Sequence, residues 1–283
     1  MKFAIFTAST PEWTPQQAVT EIAARGWDGV EWRVVDQKPP SGASGFWQGN
    51  KCTWPVSSFL DDVDEIARIT KAAGLGMPSI GNYARCNELD VVETVMKGAA
   101  ALGVTQMRVP PRQPGADGYN AAFEASRRDY HQVQELSQQY GVKALVELHH
   151  QSLLSSCSAG ARFCDGFDPA HVGVIHDIGN MVIEGYERLD WGMQILGDYL
   201  AHVHVKNVAP VPGDPANVGT DAAFTPWQTP WAPLRTGIGN LPALFEALRG
   251  IGYDGWVSVE DFSSEVELGE RISDNLRFLK AIS

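Results

Sequence analysis

One pattern repeats from end to end of these 283 residues: a short apolar, β-branched run, then a helical stretch. FAIFTAS (3–9), GVEWRV (29–34), MPSIGNY (77–83), VTQMRVP (104–110), VKALVELHH (142–150), HVGVIHD (171–177), YLAHVHVKN (199–207) and GWVSVED (255–261) read as strands. Between them lie helical stretches at 15–25, 60–73, 90–102, 120–140, 188–198, 240–249 and 265–280, with a short or irregular segment at 158–166. Thr14 and Pro15 make a start signal, and Gly26, Gly74, Gly103, Gly141 and Gly250 make stops. Strands that are apolar on both faces and alternate with helices form a buried parallel sheet. Eight such units in a chain near the roughly 250 residues typical of the architecture predict an α/β fold, one (β/α)₈ TIM barrel domain over 1–283. An open doubly wound sheet would carry a glycine-rich phosphate turn after its first strand, and TASTPEW has no glycine.

A net charge of −12 argues against a nucleic-acid partner, whose phosphates need Lys and Arg. No apolar run approaches the roughly 18 residues of a membrane span, so no membrane partner is expected. MKFAIFTAST reads as a first strand, not a signal peptide. Cys52, Cys86, Cys157 and Cys164 are scattered, with no CxxC pair, which points to a reduced, cytoplasmic protein.

Four of the strands finish on metal-ligand types: Glu147, Asp177, His204 and Glu260. Side chains converging from the C-terminal ends of parallel strands build the active site of a barrel. A strand-end carboxylate taken singly is as readily a helix cap or a surface charge. Four at consecutive strand ends make one site. Three carboxylates and an imidazole suit one divalent ion, manganese first, with magnesium, cobalt or zinc as alternatives, and do not suit Cu(I) or an iron–sulfur cluster.

Alternation along a strand puts Glu147 and His149 on one face and turns His150 away. It also puts His202, His204 and Lys206 on a common face, with His202 deeper and read as a core residue. Arg33 and Glu31 end the second strand, Asn82 the third, and Arg108 sits on the fourth. The cations either bind substrate or balance the carboxylates. RTGIGN (235–240) precedes a helix and reads as a loop-to-helix turn or, less readily, an anion site. Two tryptophan-bearing loops, 41–55 and 224–233, lie on the catalytic side and suit a lid, a sugar-stacking wall or a subunit interface.

VELHH, DIGN, HVHVKN, RTGIGN and YDGWVSVED, in this order and spacing, resemble the xylose isomerase-like TIM barrels, a group that includes sugar phosphate isomerases and epimerases. The resemblance covers essentially the whole chain. It implies that Glu147, Asp177, His204 and Glu260 hold one divalent metal. It also implies that Glu147 and Glu260 move protons through a metal-stabilised enediolate, giving a sugar or keto-sugar isomerase or epimerase. Asn180 stands where many relatives have His, and Asn207 where the strand-seven signature has Asp, which weakens a multi-metal endonuclease reading. Asn180 remains a hydroxyl-binding group. His149, two residues after Glu147, suggests a third acid/base, as in relatives that cleave 3-keto-glycosides, so a metal-dependent lyase or deglycosidase is the alternative. A non-catalytic sugar-binding barrel is the third reading. The expected partners are a small sugar or glycoside and further copies of the chain in a homo-oligomer.

Overall fold

The computed structural model describes residues 1–38, 42, 45–214 and 226–283. Eight barrel strands run through it: β1 (Lys2–Phe6), β2 (Gly29–Val34), β3 (Ile80–Asn82), β4 (Gln106–Arg108), β5 (Lys143–Glu147), β6 (Val172–Asp177), β7 (Leu200–Val205) and β8 (Trp256–Val259). Each pairs in parallel with the next, and β1 also pairs with β8, setting Ile5 opposite Val259, so the sheet closes. Nine α-helices are seen among the described residues: α1 (Pro15–Ala24), α2 (Phe59–Ala72), α3 (Leu89–Ala101), α4 (Gly118–Tyr140), α5 (Cys157–Cys164), α6 (Ile178–Ile183), α7 (Leu189–Leu196), α8 (Leu241–Gly250) and α9 (Leu268–Ile282). The fold is the expected (β/α)₈ barrel.

The strands are shorter than their apolar runs. Proline lacks an N–H and cannot donate to a ladder, and Pro78 and Pro110 lie beyond the ends of β3 and β4. Local chemistry sets the helix limits. At the start of α1, Thr14 and Gln17 cap each other's backbone N–H groups. Gly141 ends α4 in the left-handed conformation, φ 67°. The short helix α6 follows β6 directly and was not foreseen.

Alternation divides the barrel into two layers. Val30, Trp32, Val34, Val146, Val174, Val203, Val205, Val257 and Val259 join the main core that packs against the helices. Glu31, Arg108, Glu147, Asp177, His202, His204, Lys206, Ser258 and Glu260 are equally buried yet polar, and they converge on the interior of the barrel. Phe6 fills the interior beside them and stacks on His204 at 5.8 Å. It reaches across to Gly81, where a Cβ would come within 2.0 Å of its ring. A register irregularity at Val174/Ile175 sets Asp177 opposite His204 across the β6–β7 pair.

Candidate metal centre and cavity

Glu147 is the last residue of β5 and Asp177 the last of β6. His204 lies on β7, and Glu260 directly follows β8. One ligand atom from each lies within 4.8 Å of all the others, and all four side chains are buried. His204 Nδ1 is 3.6 Å from Glu147 Oε1 and 3.6 Å from Glu260 Oε1. It has no hydrogen-bond partner. A buried imidazole nitrogen without a partner, facing three carboxylates, is a donor set that could hold a divalent cation through oxygen and nitrogen.

The orientation of His204 comes from behind. Its Nε2 lies 3.1 Å from Glu31 Oε2, and His202 Nε2 lies 3.0 Å from the same oxygen. Burial would raise the Glu31 carboxyl, but the charges of His204 and then His202 outweigh it and hold Glu31 well below the usual range. Burial alone would lower His204, yet Glu31 and Glu260 pull it well above an ordinary histidine. Nε2–H is directed at Glu31, so an ion that displaced the second ring proton would find Nδ1 as its ligand atom.

Asp177 does two jobs. Its Oδ1 caps α6 by accepting from Asn180 N at 3.1 Å. Its Oδ2 lies 2.7 Å from Lys206 Nζ, outside hydrogen-bonding geometry. Burial pushes the Asp177 carboxyl up to about 7, partly countered by Lys206. Lys206 Nζ also touches Glu260 Oε2 and lies 3.8 Å from Glu147 Oε1. Arg108 Nη1 binds Glu147 Oε2 at 2.6 Å. Burial opposes ionisation of Glu147, and Arg108 leads the interactions that hold it well below its ordinary pKa.

A cavity of about 240 Å³ adjoins the cradle, lined by Glu147, Arg108, His149, His150, Tyr83 and Arg85 among others. Both histidines line it, contrary to the alternation expected past Glu147. The strand ends at Glu147, so the period-two rule ends there, and the two rings stack at 4.5 Å. His149 Nδ1 lies 2.6 Å from the His150 carbonyl, and burial lowers its pKa despite the Glu147 charge. His150 Nδ1 meets Asn180 Oδ1 at 2.7 Å, while Asn180 Nδ2 donates to Glu147 Oε1 at 3.3 Å. Arg33 is placed differently: its guanidinium binds Thr53, Gln37 and the Trp47 carbonyl and faces Tyr83, and it does not line the cavity.

Trp47 and Trp231 of the two tryptophan-bearing loops meet on Phe262, which sequence reasoning did not single out. Phe262 contacts Trp47, Phe46 and Trp231 at 4.7, 5.2 and 5.4 Å between ring centres. Trp231 is held there by antiparallel pairing of Trp231–Ala232 with Asn207–Val208. Trp54 leaves the mouth and packs against Trp32. Residues 41, 43, 44, 224 and 225 of the two tryptophan-bearing loops lie outside the described residues. The RTGIGN turn wraps Asn207, whose Oδ1 accepts from Gly239 N at 2.8 Å and whose Nδ2 donates to the carbonyls of Leu234 and Gly239. Asn240 caps α8, so both the turn and the helix start are engaged internally.

A closed parallel barrel with a mixed oxygen and nitrogen cradle at the C-terminal strand ends defines a class of protein. The chain belongs to the xylose isomerase-like TIM barrel family, whose model matches residues 19–282. Among solved structures it is similar to 3-keto-D-glucoside 4-epimerase from E. coli, at 17% identity and TM-score 0.73 over 99% of each chain. D-psicose 3-epimerase from Clostridium cellulolyticum H10 is similar at 16% identity and TM-score 0.72, over 100% of this chain and 99% of that one. The IolI protein, solved with a bound zinc atom, is similar at 17% identity and TM-score 0.72, over 100% of this chain and 98% of that one. No curated protein matches the chain in sequence. Among the described residues no helix is long and apolar enough to cross a membrane.

Proposed function

We propose that this barrel is a divalent-metal-dependent isomerase or epimerase of sugars or keto-sugars. The observation that carries the reading is the partnerless His204 Nδ1 among three buried carboxylates, beside a cavity of sugar size. Glu147, Asp177, His204 and Glu260 would hold the ion, with manganese first among the candidates. When bound, such an ion polarises a carbonyl and stabilises negative charge on oxygen. Epimerases are among the similar structures, and the family match supports the same class.

The chain's own groups supply the proton transfer. A proton next to a carbonyl is removed by a base within hydrogen-bond reach. Glu147 is kept ionised by Arg108, and Glu260 faces it across His204. Two carboxylates on different sides of a bound sugar remove a proton from one face and return it to the other, which inverts the carbon. One carboxylate serving both steps gives an aldose–ketose isomer instead. Arg108, which lines the cavity, would hold hydroxyl or carbonyl oxygens, with Asn180 and Lys206 next to it around Glu147. The aromatic wall of Trp231 and Phe262 offers apolar faces to sugar C–H groups.

His149 favours a second reading, a lyase on 3-keto-glycosides. It lines the cavity beside Glu147, its Nδ1 is engaged by a carbonyl, and burial favours its neutral form. A neutral imidazole of this kind can serve the leaving group as acid or base.

The test is bound metal by elemental analysis in wild type and His204→Ala, followed by solvent deuterium incorporation into ketoses and keto-glycosides. The expected result is about one Mn, Mg, Co or Zn per chain, lost in the variant, with deuterium entering a substrate carbon. Release of an aglycone assigns the lyase. No metal after reconstitution overturns the proposal.

A further inference from the structure

We infer that Lys206 is a built-in rival of the divalent ion: its ammonium and the ion draw on the same three carboxylates, so this lysine sets how tightly the centre holds metal. The inference rests on the metal reading above. Nζ is 2.7 Å from Asp177 Oδ2, touches Glu260 Oε2 and is 3.8 Å from Glu147 Oε1. These are the three carboxylates of the ligand set. An ion bound to these carboxylates at roughly 2.0–2.2 Å would share one buried space with the ammonium and meet strong like-charge repulsion.

Coulomb's law gives the sign. The ammonium lies within 3.8 Å of all three carboxylates, so it stands close to any divalent ion they hold, and two positive charges that close in a buried site repel. Removing the charge of Lys206 removes that repulsion. The lysine therefore opposes the metal while compensating carboxylates that would otherwise be buried without a counter-charge.

A second observation shows that the lysine's place is built into the fold. Its stem runs against Gly179, where a Cβ would lie 2.2 Å from Lys206 Cγ and 2.8 Å from its carbonyl oxygen. Only a glycine at this position, in the DIGN run, admits the side chain beside Asp177. The rings of Trp231 and Phe262 lie 5.6 and 5.8 Å from Nζ and confine the ammonium further.

The test titrates manganese chloride into the chelator-stripped full chain by calorimetry, for wild type and Lys206→Met, with melting temperatures in chelator and in excess manganese. The expected result is manganese binding at least about tenfold tighter in the variant. Its stripped form melts below stripped wild type, and its manganese-induced rise is larger. Equal or weaker binding in the variant overturns this inference alone. No binding in either chain overturns the metal reading and this inference together. If Lys206→Met does not fold, Lys206→Gln takes its place.

The wild-type chain gives an independent measurement through trace acetylation of lysines read by mass spectrometry. Manganese should speed Lys206 modification by about tenfold or more, as the ammonium leaves its carboxylate partners. An unchanged rate overturns the competition.

Discussion

Glu31 Oε2 stands 3.1 Å from His204 Nε2, on the side of the ring away from the carboxylate cradle. A ligand histidine held by a carboxylate in this way keeps one tautomer and one orientation. Glu31→Gln replaces the carboxylate with an amide that serves one imidazole N–H and opposes the other. Metal affinity is expected to fall by about 10–100-fold, as read by calorimetric titration of manganese. Wild-type affinity in the variant would show that the ring is oriented by packing against Phe6 alone.

Glu260→Gln keeps an oxygen at the cradle and removes a base. Solvent-deuterium exchange into a turned-over sugar, measured at saturating metal, is expected to fall by about 10²–10⁴-fold. A sugar-binding barrel without catalysis would show no exchange in wild type, and its sugar affinity would survive the substitution.

Gly237 lies where the turn before α8 wraps Asn207. A Cβ there would come within 2.1 Å of Asn207 Cγ, and the asparagine cannot yield without losing its bonds to Leu234 and Gly239. Gly237→Ala is expected to destabilise the fold by about 1–3 kcal/mol, measured by urea unfolding. An unchanged midpoint would mean the turn can move off Asn207.

Cys52, Cys86, Cys157 and Cys164 are all buried, and burial pushes each thiol up to about 12 from an ordinary 9.0. The unfolded chain releases these protons near pH 9 while the folded chain keeps them. Stability is therefore fully present below pH 9 and falls as pH rises towards 12. At pH 10 each thiol contributes a loss of about 1–2 kcal/mol. Melting temperature is expected to drop steeply above pH 9, and Cys164→Ala should make the decline shallower. Identical slopes in the two proteins would exclude the thiol as a cause.

The barrel was legible because eight apolar runs alternate with helices, and the convergence of Glu147, Asp177, His204 and Glu260 because each falls at or beside a strand's C-terminal end. Strand lengths were less legible, since apolar character continues through Pro78 and Pro110 although ladder donation does not. The placement of His150 was misread because alternation was carried past Glu147, where β5 has already ended. Glu31 was visible as a residue, but its tie to His204 spans 173 positions and exists only once the sheet has closed. Asp177 was read as a ligand or a helix cap, and it caps α6 with one oxygen while the other faces Lys206.

Closure of the sheet has a consequence for how the protein comes apart. β8 is locked to β1 through Ile5 and Val259, and Glu260 is the next residue along. The last carboxylate of the cradle therefore hangs on the seam where the two extremes of the sheet meet. An ion gripping Glu260 together with Glu147 and Asp177 would bind that seam to β5 and β6. Loading the centre would then act as a clasp on the barrel, slowing amide exchange in β1 and β8 first, far along the chain from the strands that carry the other ligands.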